Sequence, residues 1–110
     1  LAAYSEITIE QGATFSTTVN VADSYDNAIN LSGYTASSMM RKSYYSNTAY
    51  VFNAAVTGTA NGEITLSMSS ANTSTLSPGR YVYDLIIDDG AGTITRVVEG
   101  IATVLPAVTR

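Results

Sequence analysis

Most enzyme mechanisms need a poised acid, base or nucleophile, and this chain contains no His and no Cys. A Ser-His-Asp arrangement is therefore unavailable, there is no thiol nucleophile, and zinc sites built from His or Cys cannot form. Disulfides are excluded on the same count. Paired carboxylates remain, because glycoside hydrolysis needs only two. Glu63, Asp84 and Glu99 stand singly in predicted strands, and no signature groups them. The chain reads as a non-enzyme, with no catalytic residues and no cofactor.

Hard cations ask for clustered oxygen ligands. Asp23, Asp26 and Asn27 share one predicted loop, and Asp88 and Asp89 share another. Neither has the dense D-x-D-x-D-G spacing of a calcium loop. Asp and Asn are favoured in turns because their side chains cap nearby backbone N–H groups, so both clusters read as turns and no metal site is expected. Gly90-Ala91-Gly92 lies between two predicted strands rather than ahead of a helix, which leaves no helix N-terminus to hold a phosphate. The sequons Asn30-Leu31-Ser32 and Asn72-Thr73-Ser74 arise readily by chance in so Ser-, Thr- and Asn-rich a chain.

What remains is contact chemistry. Tyrosine offers large, stiff, amphipathic area suited to interfaces and sugar platforms, and the chain has eight. Tyr34, Tyr50, Tyr81 and Tyr83 alternate within predicted strands, where packing accounts for them. Tyr25, Tyr44 and Tyr45 fall in predicted loops, where an aromatic ring has less structural excuse, and form the candidate contact surface. Five Lys and Arg against nine Asp and Glu give a net charge of −4. That balance argues against nucleic acid or an anionic membrane as partner, since both need clustered cations. Arg41-Lys42 is the nearest approach to a basic cluster and reads as a solvated strand end. No stretch approaches the ~20 apolar residues of a membrane span. The opening Leu1-Ala2-Ala3 shows no basic segment of a signal peptide, and the missing initiator Met implies processing or trimming.

The elements that must carry these residues are strands. Period-two alternation recurs along the 110 residues, interrupted by turn residues. Ile7 and Ile9 mark a short first strand, and Phe15, Thr17, Val19 and Val21 line one face of a second. A polar loop from Ala22 to Asn30 follows. Tyr34, Ala36, Ser38 and Met40 then share a face, as do Tyr50, Phe52, Ala54 and Val56. The Asn61-Gly62 pair suits a hairpin turn, and Ile64, Leu66 and Met68 point inward beyond it. Ser70 to Leu76 reads as a turn of helix or a corner, with Leu76 plugging the core. Tyr81, Tyr83, Leu85 and Ile87 alternate next, and the last strand runs from Thr93 to about Leu105, with Gly100 marking a bulge or bend. Within that hairpin, Asp84 is expected to pair with Arg96 across the strands.

About seven short antiparallel strands predict an all-β fold, a single two-sheet immunoglobulin-like β-sandwich domain over residues 1–110, with a small closed barrel as the main competitor. The corner ahead of Tyr81 resembles the tyrosine corner of such domains, though the antibody Cys and Trp are absent.

Several stretches carry a more specific likeness. They are Ile7-Thr8-Ile9-Glu10-Gln11-Gly12, Asn30-Leu31-Ser32-Gly33-Tyr34, Met40-Arg41-Lys42-Ser43, Pro78-Gly79-Arg80-Tyr81-Val82-Tyr83-Asp84 and Thr95-Arg96-Val97-Val98-Glu99-Gly100. In that order, from about Glu6 to Val104, they resemble the small immunoglobulin-like structural domains of tailed, especially marine T4-like, bacteriophages. They are also similar to the N-terminal domain of phage baseplate upper proteins, which continue into a long C-terminal region that this chain does not show. The resemblance implies localisation to the virion and attachment to other virion proteins in the tail, baseplate or fibre, with self-association in a symmetric assembly as a further partner. It supplies no catalytic residue. Head (capsid) decoration is the alternative within that reading. A carbohydrate-binding or adhesive module, with Tyr25, Tyr44 and Tyr45 stacking on a surface glycan, is the alternative of another class.

Overall fold

The computed structural model describes residues 3–21, 29–43 and 45–108. Within them the fold is all-β. Its strands are β1 (Ala3–Tyr4), β2 (Ile7–Glu10), β3 (Phe15–Asn20), β4 (Thr35–Arg41), β5 (Tyr50–Gly58), β6 (Glu63–Met68), β7 (Gly79–Asp88) and β8 (Ile94–Leu105). A 3₁₀ turn (Thr59–Asn61) joins β5 to β6, and a one-turn helix, α1 (Ser70–Thr73), stands at the expected corner. The strand beyond the expected seven is β1, too short to show an alternation.

Hydrogen bonding follows one path, β1-β8-β7-β4-β5-β6-β3, with β2 also on β8. The path curls because β5 serves two neighbours. Its first residues, Tyr50 to Phe52, pair with Met40 to Ser38 of β4, and the stretch from Asn53 to Gly58 pairs with β6. The expectation of purely antiparallel pairing is corrected at one edge: β1 and β2 both run parallel to β8. No tight turn links these strands, so nothing forces them to run in opposite directions.

The curl gathers one core. Ile9, Phe15, Met40, Phe52, Ile64, Leu85 and Val104 come from seven different strands and join the same buried cluster. Aromatic rings span the curl, with Phe52 lying 5.7 Å from Phe15 on one side and 6.3 Å from Tyr83 on the other. The alternation that wrote these strands is visible in β7, where Tyr81, Tyr83, Leu85 and Ile87 are buried and the residues between them are not. Ser38 is a polar residue inside, and its hydroxyl donates to the Asp84 carbonyl of the neighbouring strand.

The corner ahead of β7 is held by specific bonds. Ser69 caps α1 by accepting from the Asn72 N–H. Thr73, fully buried, accepts from the Gly12 N–H at 3.1 Å and donates to the Ala13 carbonyl at 2.8 Å. Gln11 donates to the Leu76 carbonyl and accepts from the Ala107 N–H, tying the β2–β3 turn to the corner and to the chain beyond β8. Leu76 is buried, and the Tyr81 hydroxyl donates to the Ser77 carbonyl at 2.7 Å, which is the bond of a tyrosine corner.

Of the bulge or bend expected at Gly100, the bulge lies elsewhere. The β7–β8 register slips between Leu85 and Ile86, whose partners are Val98 and Arg96, so Val97 is the extra residue. Gly100 serves a close approach instead. A Cβ there would overlap the backbone of Ser5, whose N–H donates to the Glu99 carbonyl and whose own carbonyl accepts from the Tyr83 hydroxyl at 2.7 Å. In the β5–β6 turn the positive φ falls on Gly62, at 65°.

Candidate binding surface

Because Tyr81, Tyr83 and Leu85 point inward, Val82, Asp84 and Ile86 must point outward. Register then sets their neighbours in rows across the sheet. Asp84 stands opposite Met39 on one side and Glu99 on the other, and Met39 is in turn opposite Val51. Ile86 lies between Ser37 and Arg96, and Val82 between Arg41 and Ile101. From these rows Met39, Val82, Asp84, Ile86, Arg96 and Glu99 line a shallow concavity of about 360 Å³ on the outer face of β4, β7 and β8. Met39 in its lining and Val51, the neighbour of Met39 on β5, both reach solvent, 42% and 61% exposed respectively.

Asp84 and Glu99, directly opposed, would repel each other. Arg96 resolves this, with its Nε 3.4 Å from Asp84 Oδ2 and its Nη1 3.4 Å from Glu99 Oε2. In an unbroken strand, residues three apart face opposite sides. The extra residue at Val97 is what lets Arg96 and Glu99 meet on one face. All three side chains are partly exposed, so each ion pair contributes about 0–1 kcal/mol and serves more to fix charge positions than to hold the fold. The expected Asp84–Arg96 pairing is present, as a diagonal contact.

Of the three aromatic residues proposed for contact, Tyr45 is described and is 94% exposed. Its loop is pinned where Arg41 Nη1 donates to the Ser46 carbonyl at 2.7 Å, so Arg41 belongs both to the concavity and to the base of this loop. Tyr25 and Tyr44 lie outside the described residues. Arg41-Lys42 stands at the end of β4 with Lys42 exposed, as the sequence predicted; Arg41 also holds the loop, and Lys42 Nζ sits 4.5 Å from the centre of the Tyr81 ring.

The remaining candidates separate. Glu63 is on β6, where its Oε1 accepts from the Thr57 hydroxyl, away from the Asp84–Glu99 pair. Asp88 accepts from the Gly90 N–H, and Asp89 from the N–H groups of Ala91 and Thr93; those bonds hold the Asp89 carboxyl below its ordinary value. Asp23, Asp26 and Asn27 lie outside the described residues. Among the described residues no group of three or more acidic side chains is placed to hold a metal ion. Burial raises the phenols of Tyr81 and Tyr83 above the usual tyrosine range, consistent with packing rather than contact.

Sequence reasoning missed Met39, Val51, Val82 and Ile86 as surface residues. The signal was present in the run from Tyr81 to Ile87, apolar at both parities apart from Asp84, where a strand facing water on one side would be polar at every second position.

No family model matches this chain, and no curated protein matches it. Among solved structures, an internalin-like protein of Listeria monocytogenes is similar, at 18% identity and a TM-score of 0.48, over 94% of this chain and 28% of that one. The Lin-41 filamin domain is similar at 16% identity and a TM-score of 0.43, over 82% of this chain and 81% of that one. The chain thus spans little more than a quarter of the internalin-like protein's length.

Proposed function

We propose that the chain is a non-enzymatic attachment module, an immunoglobulin-like sandwich in which β3, β6 and the second part of β5 form one layer and β4, β7 and β8 the other. The observation that carries the attachment role is the outer face of β4, β7 and β8, where Met39, Val82 and Ile86, with Val51 of β5 beside Met39, surround an Asp84–Arg96–Glu99 cluster in which one guanidinium bridges two carboxylates. Apolar area around oriented, bridged charges suits a protein partner, since it offers both buried surface and register. The phage-like motifs from Ile7 to Gly100 support a place in a virion, in the tail, baseplate or fibre. Repeated copies there would give a small interface the avidity it lacks singly.

The test is incorporation. Met39→Lys with Ile86→Lys should leave the circular dichroism spectrum and unfolding midpoint unchanged while cutting the protein's recovery on purified particles at least tenfold. Wild-type protein found only in lysate, never on particles, would remove the virion role. Hundreds of copies per particle would move it from tail to head decoration.

One observation favours a second reading, adhesion to a glycan: the Tyr45 ring stands almost wholly in solvent. That reading expects a hit on a glycan array that Tyr45→Ala abolishes. An array blank at high protein density removes it.

A further inference from the structure

Among the described residues, the curled sheet leaves β3 at its far edge, hydrogen-bonded to β6 on one side only. The Val21 N–H donates to the Gly62 carbonyl, which sets the parity of the edge. Backbone groups at Val19, Thr17 and Phe15 point toward β6, and those of Ser16, Thr18 and Asn20 point away from it. Those three residues are exposed, and each offers one N–H and one C=O.

Open edges are normally blunted by charge, by Pro or by a bulge. The β3 sequence, Phe15-Ser16-Thr17-Thr18-Val19-Asn20, has none of these, and its pairing with β6 is unbroken. The neighbouring open edge behaves otherwise. The outward residues of β2 are flanked by Glu6 and Glu10, and a two-fold pairing of β2 with itself about Thr8 would set Glu6 against Glu10 of the other copy. Like charges directly opposed destabilise a strand pair. The same operation on β3 meets no charge at all. Centred on Thr18, it sets Thr18 against Thr18 and Ser16 against Asn20, pairs whose side chains can hydrogen-bond. A groove of about 460 Å³ runs beside this edge, between β2 and β3.

We infer that β3 is a self-association edge: two copies of this chain pair antiparallel through Ser16, Thr18 and Asn20 about a two-fold axis at Thr18. The sheet then continues from β6 and β3 of one copy into β3 and β6 of the other. This surface is separate from the outer face of β4, β7 and β8 and does not rest on the virion reading.

The absence of cysteine makes the register directly testable. In an antiparallel hydrogen-bonded pair, opposed Cα atoms lie about 5.5 Å apart, within disulfide reach. Purified Thr18→Cys protein under mild oxidation should form a covalent dimer in majority yield. Ser16→Cys alone should not, and Ser16→Cys mixed with Asn20→Cys should cross-link as a heterodimer. Sedimentation of the cysteine-free chain should show a concentration-dependent dimer, weakened at least tenfold by the exposed substitution Thr18→Lys. A wild-type chain that stays monomeric at millimolar concentration would overturn the inference. So would a dimer indifferent to Thr18→Lys, or Ser16→Cys cross-linking to itself as fast as Thr18→Cys.

Discussion

At the level of single residues, the positions that matter most are those where one atom would alter a neighbour's course. Gly100 is the clearest. With no Cβ it lets the Ser5 backbone lie against β8, where Ser5 bonds to Glu99 and Tyr83. Gly100→Ala should therefore displace the segment leading into β2 and lower stability by about 1–3 kcal/mol, the cost of overpacking a tight contact. Thermal unfolding checks this, and hydrogen exchange at the Ser5 amide should rise in parallel. The sequence marks this glycine as structurally special but not why. A glycine inside a strand announces a bulge and a close backbone approach equally well, and the approaching residue is far away in the chain. Arg96 teaches a similar lesson: its partner Asp84 was legible from hairpin geometry, while its second partner Glu99 depends on a bulge at Val97 that no residue type announces.

Among elements, alternation made most strands readable, because a half-buried strand must repeat every two residues. It left three things unreadable. A two-residue strand such as β1 has no period. Parallel pairing with β8 is a matter of which edge is free, not of side-chain pattern. The outer face of β7 carries Val82 and Ile86, so its alternation is blurred where the candidate binding surface lies. The corner was readable as a corner, and its bonds make it a distinct test. Thr73→Val keeps the shape of the side chain but strands the Gly12 N–H and the Ala13 carbonyl, which predicts a loss of about 1–3 kcal/mol in denaturant unfolding. Thr73→Ser, which restores the hydroxyl, should recover most of it.

For the molecule as a whole, two buried phenols set an alkaline limit. Burial raises the pKa of Tyr81 and of Tyr83 above 10.0. As pH climbs past that value, tyrosines of the unfolded chain lose protons that these two keep in the folded state, so stability falls with rising pH. Their contribution is complete below about pH 10 and disappears as pH passes through the raised values. Unfolding midpoints between pH 8 and 12 should show this descent, and Tyr83→Phe should flatten it. Asp89 acts at the other limit: its lowered carboxyl contributes above the ordinary carboxylate range and ceases to as acid protonates it.

The parallel edge has a mechanical consequence. Ala3 pairs near Val98 and Glu10 pairs with Leu105, so the segment entering the domain and the one leaving it flank a common patch but depart from its opposite poles. Tension applied across the domain would drag these strands past each other lengthwise. Every bond in the patch would then carry the load at once, instead of parting one after another as a hairpin does when peeled. A module strung in line between two anchors would resist rupture in that geometry, with a lifetime under force set by the barrier to that sliding step.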